Sequence, residues 1–165
     1  IILMGYINNF LTYKDLINKS HDFGVDGILV VDIPGELSLR DYGIDNENID
    51  IISLISPTTS RARIDNIVNN SSGFIYYVTL RGVTGSSNLD EHEIAQNIGY
   101  IRSITDIPVM AGFGIKSSDD ARLLSSFSDG VVIGSSIVEL IHKNSENKDF
   151  RDVSDYISNM KDAIR

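Results

Sequence analysis

Six short runs of apolar, largely β-branched residues recur along this chain, and their spacing restricts the fold more than any other feature. They fall at residues 1–6, 27–31, 49–55, 73–78, 108–111 and 130–133. The runs are nearly continuous in apolar residues rather than alternating, with Asp50 and Ser53 as interruptions, the pattern of a strand buried on both faces. Polar stretches of helix length lie between them, with apolar residues three and four apart. Those positions are Tyr13, Leu16, Ile17 and then Phe23; Ile64, Ile67 and Val68; Ile94, Ile98, Ile101 and Ile104; Ala121, Leu123, Leu124 and Phe127. A last helix is predicted over 152–164, with Val153, Tyr156, Ile157 and Met160 on one face. Buried strands alternating with amphipathic helices predict a parallel sheet covered by helices. The reading is one α/β domain over residues 1–165, built from about six strand–helix units.

The punctuation between elements agrees with this. Gly24 sits where a helix ends before the second strand, and Ser128-Asp129-Gly130 is expected to act in the same way before the sixth. Pro57-Thr58-Thr59-Ser60 and Ser117-Ser118-Asp119-Asp120 supply helix N-cap residues. The stretch 41–50 is polar and rich in Gly and Asn, so the helix before it should be short or irregular.

Such an array could be doubly wound or a (β/α)8 barrel. No G-x-G-x-x-G follows the first strand, which removes the main support for a dinucleotide fold. Six units fall about two short of a barrel. The chain opens on Ile1-Ile2-Leu3-Met4, which reads as the interior of a buried strand. The expectation is an incomplete TIM barrel lacking its first two strands.

Composition narrows the function. Acidic residues number 23 against 14 basic, a formal charge of −9. That balance argues against non-specific nucleic-acid binding and against docking on an anionic membrane. There is no Cys, hence no disulfide, thiolate metal site or thiol nucleophile. No apolar run reaches membrane-spanning length and no signal peptide is visible, so a cytoplasmic location is expected.

Barrel chemistry collects at the C-terminal ends of the strands. Gly112-Phe113-Gly114-Ile115 follows the fifth strand, and Gly134-Ser135-Ser136 follows the sixth and opens a helix. Glycines admit close backbone approach, and a helix N-terminus adds partial positive charge. Together the two turns read as a phosphate cradle that needs no basic patch. The segment Arg81-Gly82-Val83-Thr84-Gly85, with Ser86-Ser87-Asn88 after it, could be a lid or an ordinary long loop. Asp32 ends the second strand and could be a catalytic carboxylate, a binding group or a cap for the next helix. Asp26 and Asp129, at the opposite ends of strands, read as stability residues. Tyr76 and Tyr77 are adjacent in a strand, so only one can face the barrel interior. His21, His92 and His142 lack metal-ligand spacing and read as surface residues. No Ser/His/Asp elbow appears.

Eight segments in order carry a specific likeness: Leu3-Met4-Gly5-Tyr6-Ile7-Asn8, Gly24-Val25-Asp26-Gly27, Asp32-Ile33-Pro34, Ser56-Pro57-Thr58-Thr59, Gly73-Phe74-Ile75-Tyr76-Tyr77-Val78, Gly82-Val83-Thr84-Gly85, Gly112-Phe113-Gly114-Ile115 and Gly134-Ser135-Ser136-Ile137-Val138. Together they resemble the tryptophan synthase alpha subunit from its third barrel strand onward. The resemblance implies a (β/α)8 lyase that cleaves indole-3-glycerol phosphate to indole and glyceraldehyde 3-phosphate in tryptophan biosynthesis. It implies a beta-subunit partner that carries pyridoxal phosphate, in an alpha-beta-beta-alpha assembly, with no cofactor or metal in this chain. By matching position, Gly85, Gly112, Phe113, Gly114, Gly134 and Ser135 would hold the phosphate. Thr84 would belong to the lid, and Tyr6, Leu29, Val31 and Tyr76 would line the substrate pocket. Asn8 and Pro34 would face the beta subunit, and Asp32 matches a residue linked to communication with it. Arg81 departs from the Ser or Thr usual before Gly-Val-Thr-Gly. The family's catalytic Glu and its partner Asp would precede Ile1, so no catalytic residue is assigned here and Asp32 is at most accessory. The 165-residue chain by itself is accordingly expected to be inactive or nearly so. Two alternatives stay open. One is a short form without activity that binds a phosphorylated ligand or a beta-type partner. The other is a phosphoribosyl-type isomerase barrel, which shares the final phosphate loops.

Overall fold

The computed structural model describes residues 1–44, 47–79, 91–112, 114–146 and 149–165. Six strands form a single sheet in the order of the sequence: β1 (Ile2–Gly5), β2 (Gly27–Val30), β3 (Asp50–Ile55), β4 (Ile75–Val78), β5 (Val109–Gly112) and β6 (Gly130–Val132). Every neighbouring pair is parallel. Sequential order with parallel pairing is the winding of a barrel wall rather than of a doubly wound sheet, whose order reverses at a switch point. The helices are α1 (Ile7–Thr12), α2 (Lys14–Ile17), α3 (Arg61–Asn69), α4 (Glu91–Ile104), α5 (Ser118–Ser125), α6 (Ser135–Asn144) and α7 (Arg151–Ala163).

The pleat divides the strands between two faces. Leu29, Ile52 and Tyr76 pack together on one side, with Val31, Leu54, Val78 and Val132 beside them. The register aligns Met4 with Leu29 and Leu54 with Tyr76, so these residues share the concave face. The opposite face packs against helices. Ile55, Ile75, Tyr77, Val109 and Ala111 meet Ile64, Ile67 and Val68 of α3, Ile94, Ile98 and Ile101 of α4, Ala121 and Leu124 of α5, and Met160 of α7. This is the 3.6-residue face that the sequence predicts for α3, α4 and α5. Two expected inward residues depart from it: Ile104, the last residue of α4, and Ile157, in the middle of α7, are exposed.

The first connection is not the single amphipathic helix expected from Tyr13, Leu16, Ile17 and Phe23. It breaks into α1, α2 and a 3₁₀ turn, Ser20–Phe23. The backbone at Tyr13 leaves helical geometry (φ −113°, ψ 29°), so the 3.6-residue phase is lost there. Ile17 is buried while Tyr13 and Phe23 are exposed; the side chain of Leu16 is not among those described. The second connection is short, as its composition requires. A 3₁₀ turn, Leu39–Tyr42, starts at Ser38, whose hydroxyl accepts from Arg40 N–H, and stops at Gly43 in the left-handed region (φ 71°).

Caps follow the sequence in part. Gly24 has φ 81° and closes the 3₁₀ turn before β2. Ser117 and Asp120 form a reciprocal capping box on α5. The Ser128-Asp129-Gly130 segment works differently from Gly24. Gly130 already belongs to β6, and α5 ends at Ser126 in right-handed geometry. Ser128 there donates to Leu124 O at 2.8 Å. A Cβ on Gly130 would come within 2.7 Å of Met110 Sδ, so that flexible side chain would have to shift.

Candidate active site at the C-terminal ends of the strands

The two glycine turns lie side by side. Ser136, in the first turn of α6, donates its hydroxyl to Ile115 O at 3.0 Å, which ties the helix start to the loop after β5. Gly114 there takes φ +73°, a conformation that favours Gly. Gly134 is the N-cap of α6, and both it and Ser135 are exposed. A Cβ on Gly134 would meet nothing within 4 Å, so the approach to the helix N-terminus is open. First-turn N–H groups of a helix have no partner within it. Amides of Ser135 and Ser136, at a helix start beside the Gly114 turn, are groups that could receive an anion.

Gly112, at the end of β5, is tightly packed. A Cβ there would lie 2.7 Å from Tyr76 Cε2, 2.8 Å from its hydroxyl and 2.8 Å from Val132 O. Its carbonyl accepts from Thr79 N–H at 2.8 Å and Thr79 Oγ1 at 3.1 Å, with Thr79 wholly buried. The missing side chain lets Tyr76 lie against the end of β5. Tyr76 has its phenol pushed above the ordinary tyrosine pKa by burial, so it stays neutral at physiological pH. Tyr77 points to the helix side, is buried, and accepts from Asn97 at 3.0 Å. One tyrosine of the pair faces each way, as the strand pleat demands.

Leu29, Val31 and Tyr76 share the concave face, and Tyr6 continues β1 in extended geometry (φ −91°, ψ 153°) in phase with Met4. The four expected pocket residues are thus on one side of the sheet, with Tyr6 exposed at its β1 edge. Asn8 and Pro34 are both exposed on the same rim. Phe113, Thr84 and Gly85, together with Arg81, lie outside the described residues.

Carboxylates at this end are engaged. Asp32 Oδ1 accepts from Ile7 N–H at 2.7 Å. It caps the helix that follows β1, not the one after its own strand. Glu36 pairs with Arg63 (Nε–Oε1 2.5 Å), and that guanidinium holds its carboxyl below the usual range. Asp50 shares the concave phase but stands at the opposite end of β3, against Gly73. Asp129 accepts from Val109 N–H at 2.9 Å and pairs with Arg102, and Asp26 meets the amino group of Ile1, both away from the rim. His21, His92 and His142 are exposed, and His92 bonds Gln96 at 2.8 Å. Among the described residues, no group of three His, Cys, Asp or Glu could hold a metal ion. No helix among them is long and apolar enough to cross a membrane.

Three participants were not legible as site residues. Ser136 was visible only as part of a Gly-Ser-Ser turn. Thr79 and Arg63 carried no sequence signal beyond polarity next to a strand end and a helix start.

The chain resembles known proteins in sequence and in fold. A model of the family described as "Tryptophan synthase alpha chain" matches residues 1–165. The tryptophan synthase alpha chain of Neisseria gonorrhoeae is 40% identical over 169 residues, covering all of this chain and 64% of the relative. The crystal structure of tryptophan synthase subunit alpha from Legionella pneumophila superposes with a TM-score of 0.79 at 30% identity, over 99% of this chain and 62% of that one. A Mycobacterium tuberculosis tryptophan synthase structure shares the fold with a TM-score of 0.81 at 21% identity. The chain thus spans less than two thirds of the length of the relatives it matches.

Proposed function

We propose a carbon–carbon lyase function for this chain, which belongs to the tryptophan synthase alpha chain family. The proposed reaction is retro-aldol cleavage of indole-3-glycerol phosphate to indole and glyceraldehyde 3-phosphate. The observation that supports it is the join of the two glycine turns through Ser136 and Ile115, with open space at Gly134 and an apolar face of the sheet formed by Leu29, Ile52 and Tyr76. A phosphate tail and a flat apolar ring need that pairing. In this reading Gly112, Gly114, Gly134 and Ser135 serve the phosphate, joined by Gly85 and Phe113. Tyr6, Leu29, Val31 and Tyr76 take the indole, and Thr84 lies in the lid.

The chemistry needs a proton delivered to indole C3, and protons removed from the ring nitrogen and a glycerol hydroxyl. By likeness to the tryptophan synthase alpha chain family, we assign proton transfer to a Glu and a partner Asp outside residues 1–165; at the rim, Asp32 accepts from Ile7 N–H and Glu36 pairs with Arg63. Asn8 and Pro34 are proposed to face a beta subunit that holds pyridoxal phosphate, within an alpha-beta-beta-alpha assembly in the cytoplasm. Indole release from indole-3-glycerol phosphate, measured with a beta-type subunit present, tests the assignment. A folded 165-residue chain should release none, and adding the segment that carries the carboxylates should restore turnover. Turnover by the 165 residues alone, with longer enzyme excluded by mass, would return Asp32 to the list of proton-transfer groups.

A second reading, binding of a phosphorylated ligand without chemistry, rests on the same two turns. It predicts saturable ligand binding and no turnover even when that segment is supplied.

A further inference from the structure

We propose that Asp32 is a positioning residue: from the end of β2 it fixes Tyr6 at the rim of the concave face, within a loop anchored at its other end on α3. The inference rests on the substrate reading above. α1 begins at Ile7 with Tyr6 as its N-cap, and Tyr6 supplies no side-chain cap. A helix start leaves several N–H groups without partners. Asp32 fills that need from the neighbouring strand, accepting from Ile7 N–H at 2.7 Å. A carboxylate is also favoured there by the partial positive charge of the helix end. The bond joins residues 25 apart in sequence, so it binds the loop after β1 to the loop after β2.

The far end of the Asp32 loop is held three times. Glu36 accepts from two of the three guanidinium nitrogens of Arg63, Nε and Nη2, at 2.5 and 3.4 Å. Its carbonyl accepts from Asn70 Nδ2 at 3.1 Å. Gly35 lies so close to α3 that a Cβ would stand 2.9 Å from Ile67. Residues 32–36 therefore form a strap from α1 to α3 across the strand ends. Val31 precedes the strap on the concave face, and Tyr6 immediately precedes the amide that the strap holds. Tyr6 is largely exposed, so little packing holds its backbone in place. Its carbonyl accepts from Asn9 and Phe10 N–H within the helix, and Gly5 O accepts from Val31 N–H; the Asp32 bond adds a side-chain tie from the β2 loop to the amide that follows Tyr6.

Capping and charge can be separated by isosteric substitution. Asp32→Asn keeps an oxygen acceptor for Ile7 N–H and removes the carboxylate, whereas Asp32→Ala removes both. The test is amide exchange over residues 7–10 of the 165-residue chain, together with the affinity of an unreactive indole-alkyl phosphate. Loss of a cap corresponds to about a fivefold change in a local equilibrium. Asp32→Ala should speed exchange and weaken the probe by about that factor, and Asp32→Asn should restore both to within about twofold. Arg63→Ala should speed exchange over residues 33–37, and Arg63→Lys should recover part of it. Unchanged exchange in Asp32→Ala overturns the strap. Faster exchange with unchanged probe affinity overturns the positioning role. Unchanged exchange in Asp32→Asn with affinity as poor as in Asp32→Ala would instead place the charge on the ligand. A wild-type chain that does not bind the probe refutes the substrate reading and the positioning role with it, while exchange still decides whether the strap exists.

Discussion

The two ends of the sheet are built differently. Strands β3 to β5 are backed by α3, α4 and α5, whose inward residues are almost wholly buried. Strands β1 and β2 are backed by α1, α2 and two 3₁₀ turns, which bury Phe10, Ile17 and Leu39 but leave Tyr13 and Phe23 exposed. Both halves have comparable apolar sequence. The difference is continuity of the helix: α3, α4 and α5, each of eight or more residues of one phase, bury two or three side chains apiece, whereas α1 and α2 bury one each among the described residues. Stability should therefore reside in the middle of the sheet, while the rim at β1 and β2 depends on single polar contacts such as Asp32 to Ile7.

Substitution on each side probes that contrast. Ile98, wholly buried on α4, should cost about 2–5 kcal/mol as Ile98→Ala. Phe23→Ala, at a residue 67% exposed, should stay within about 0.5 kcal/mol. Both are read by denaturant unfolding, and similar losses would erase the distinction.

The two site glycines give a second contrast. Gly112→Ala forces a methyl into Tyr76 and the Val132 carbonyl and should cost about 1–3 kcal/mol. Gly134→Ala enters open space, so it should change unfolding little and act on phosphate affinity instead. Calorimetric titration with glycerol phosphate beside thermal melts separates the two effects.

Smaller effects sharpen the picture further. Ser117→Ala removes half of the α5 capping box and should lower stability by about 1 kcal/mol. The Glu36–Arg63 pair should matter least, being partly solvated. Its sign is fixed, however. Glu36 is held below its ordinary pKa by the Arg63 hydrogen bond, so its contribution is present above the unfolded carboxyl pKa. It is lost as pH falls through the lowered folded value. Wild-type and Glu36→Gln melts should therefore converge in acid and separate slightly near neutrality.

Much of this was legible from residue order. The six strands lie within a few residues of their apolar runs, because β-branched residues buried on both faces leave a pattern that depends little on context. The faces of α3, α4 and α5 followed for the same reason. The segment 7–23 did not, because periodicity assumes one unbroken helix and the backbone turns at Tyr13. At the site, the topology rule alone brings two successive strand ends together, so Gly114 and Gly134 could be paired in advance. The Ser136–Ile115, Thr79–Gly112 and Asp32–Ile7 bonds could not. Each joins residues 21 to 33 positions apart and depends on strand register and side-chain reach. Asp32 illustrates the limit: capping was foreseen as one of its roles, but for the following helix rather than the preceding one.

The most direct test of the central claim is residue-resolved amide chemical shifts of the 165-residue chain titrated with glycerol phosphate. The account predicts saturable shifts centred on the amides of Gly114, Ile115, Ser135 and Ser136, with residues 61–69 unmoved. Absence of saturation, or shifts centred elsewhere on the molecule, would contradict a phosphate cradle at these strand ends.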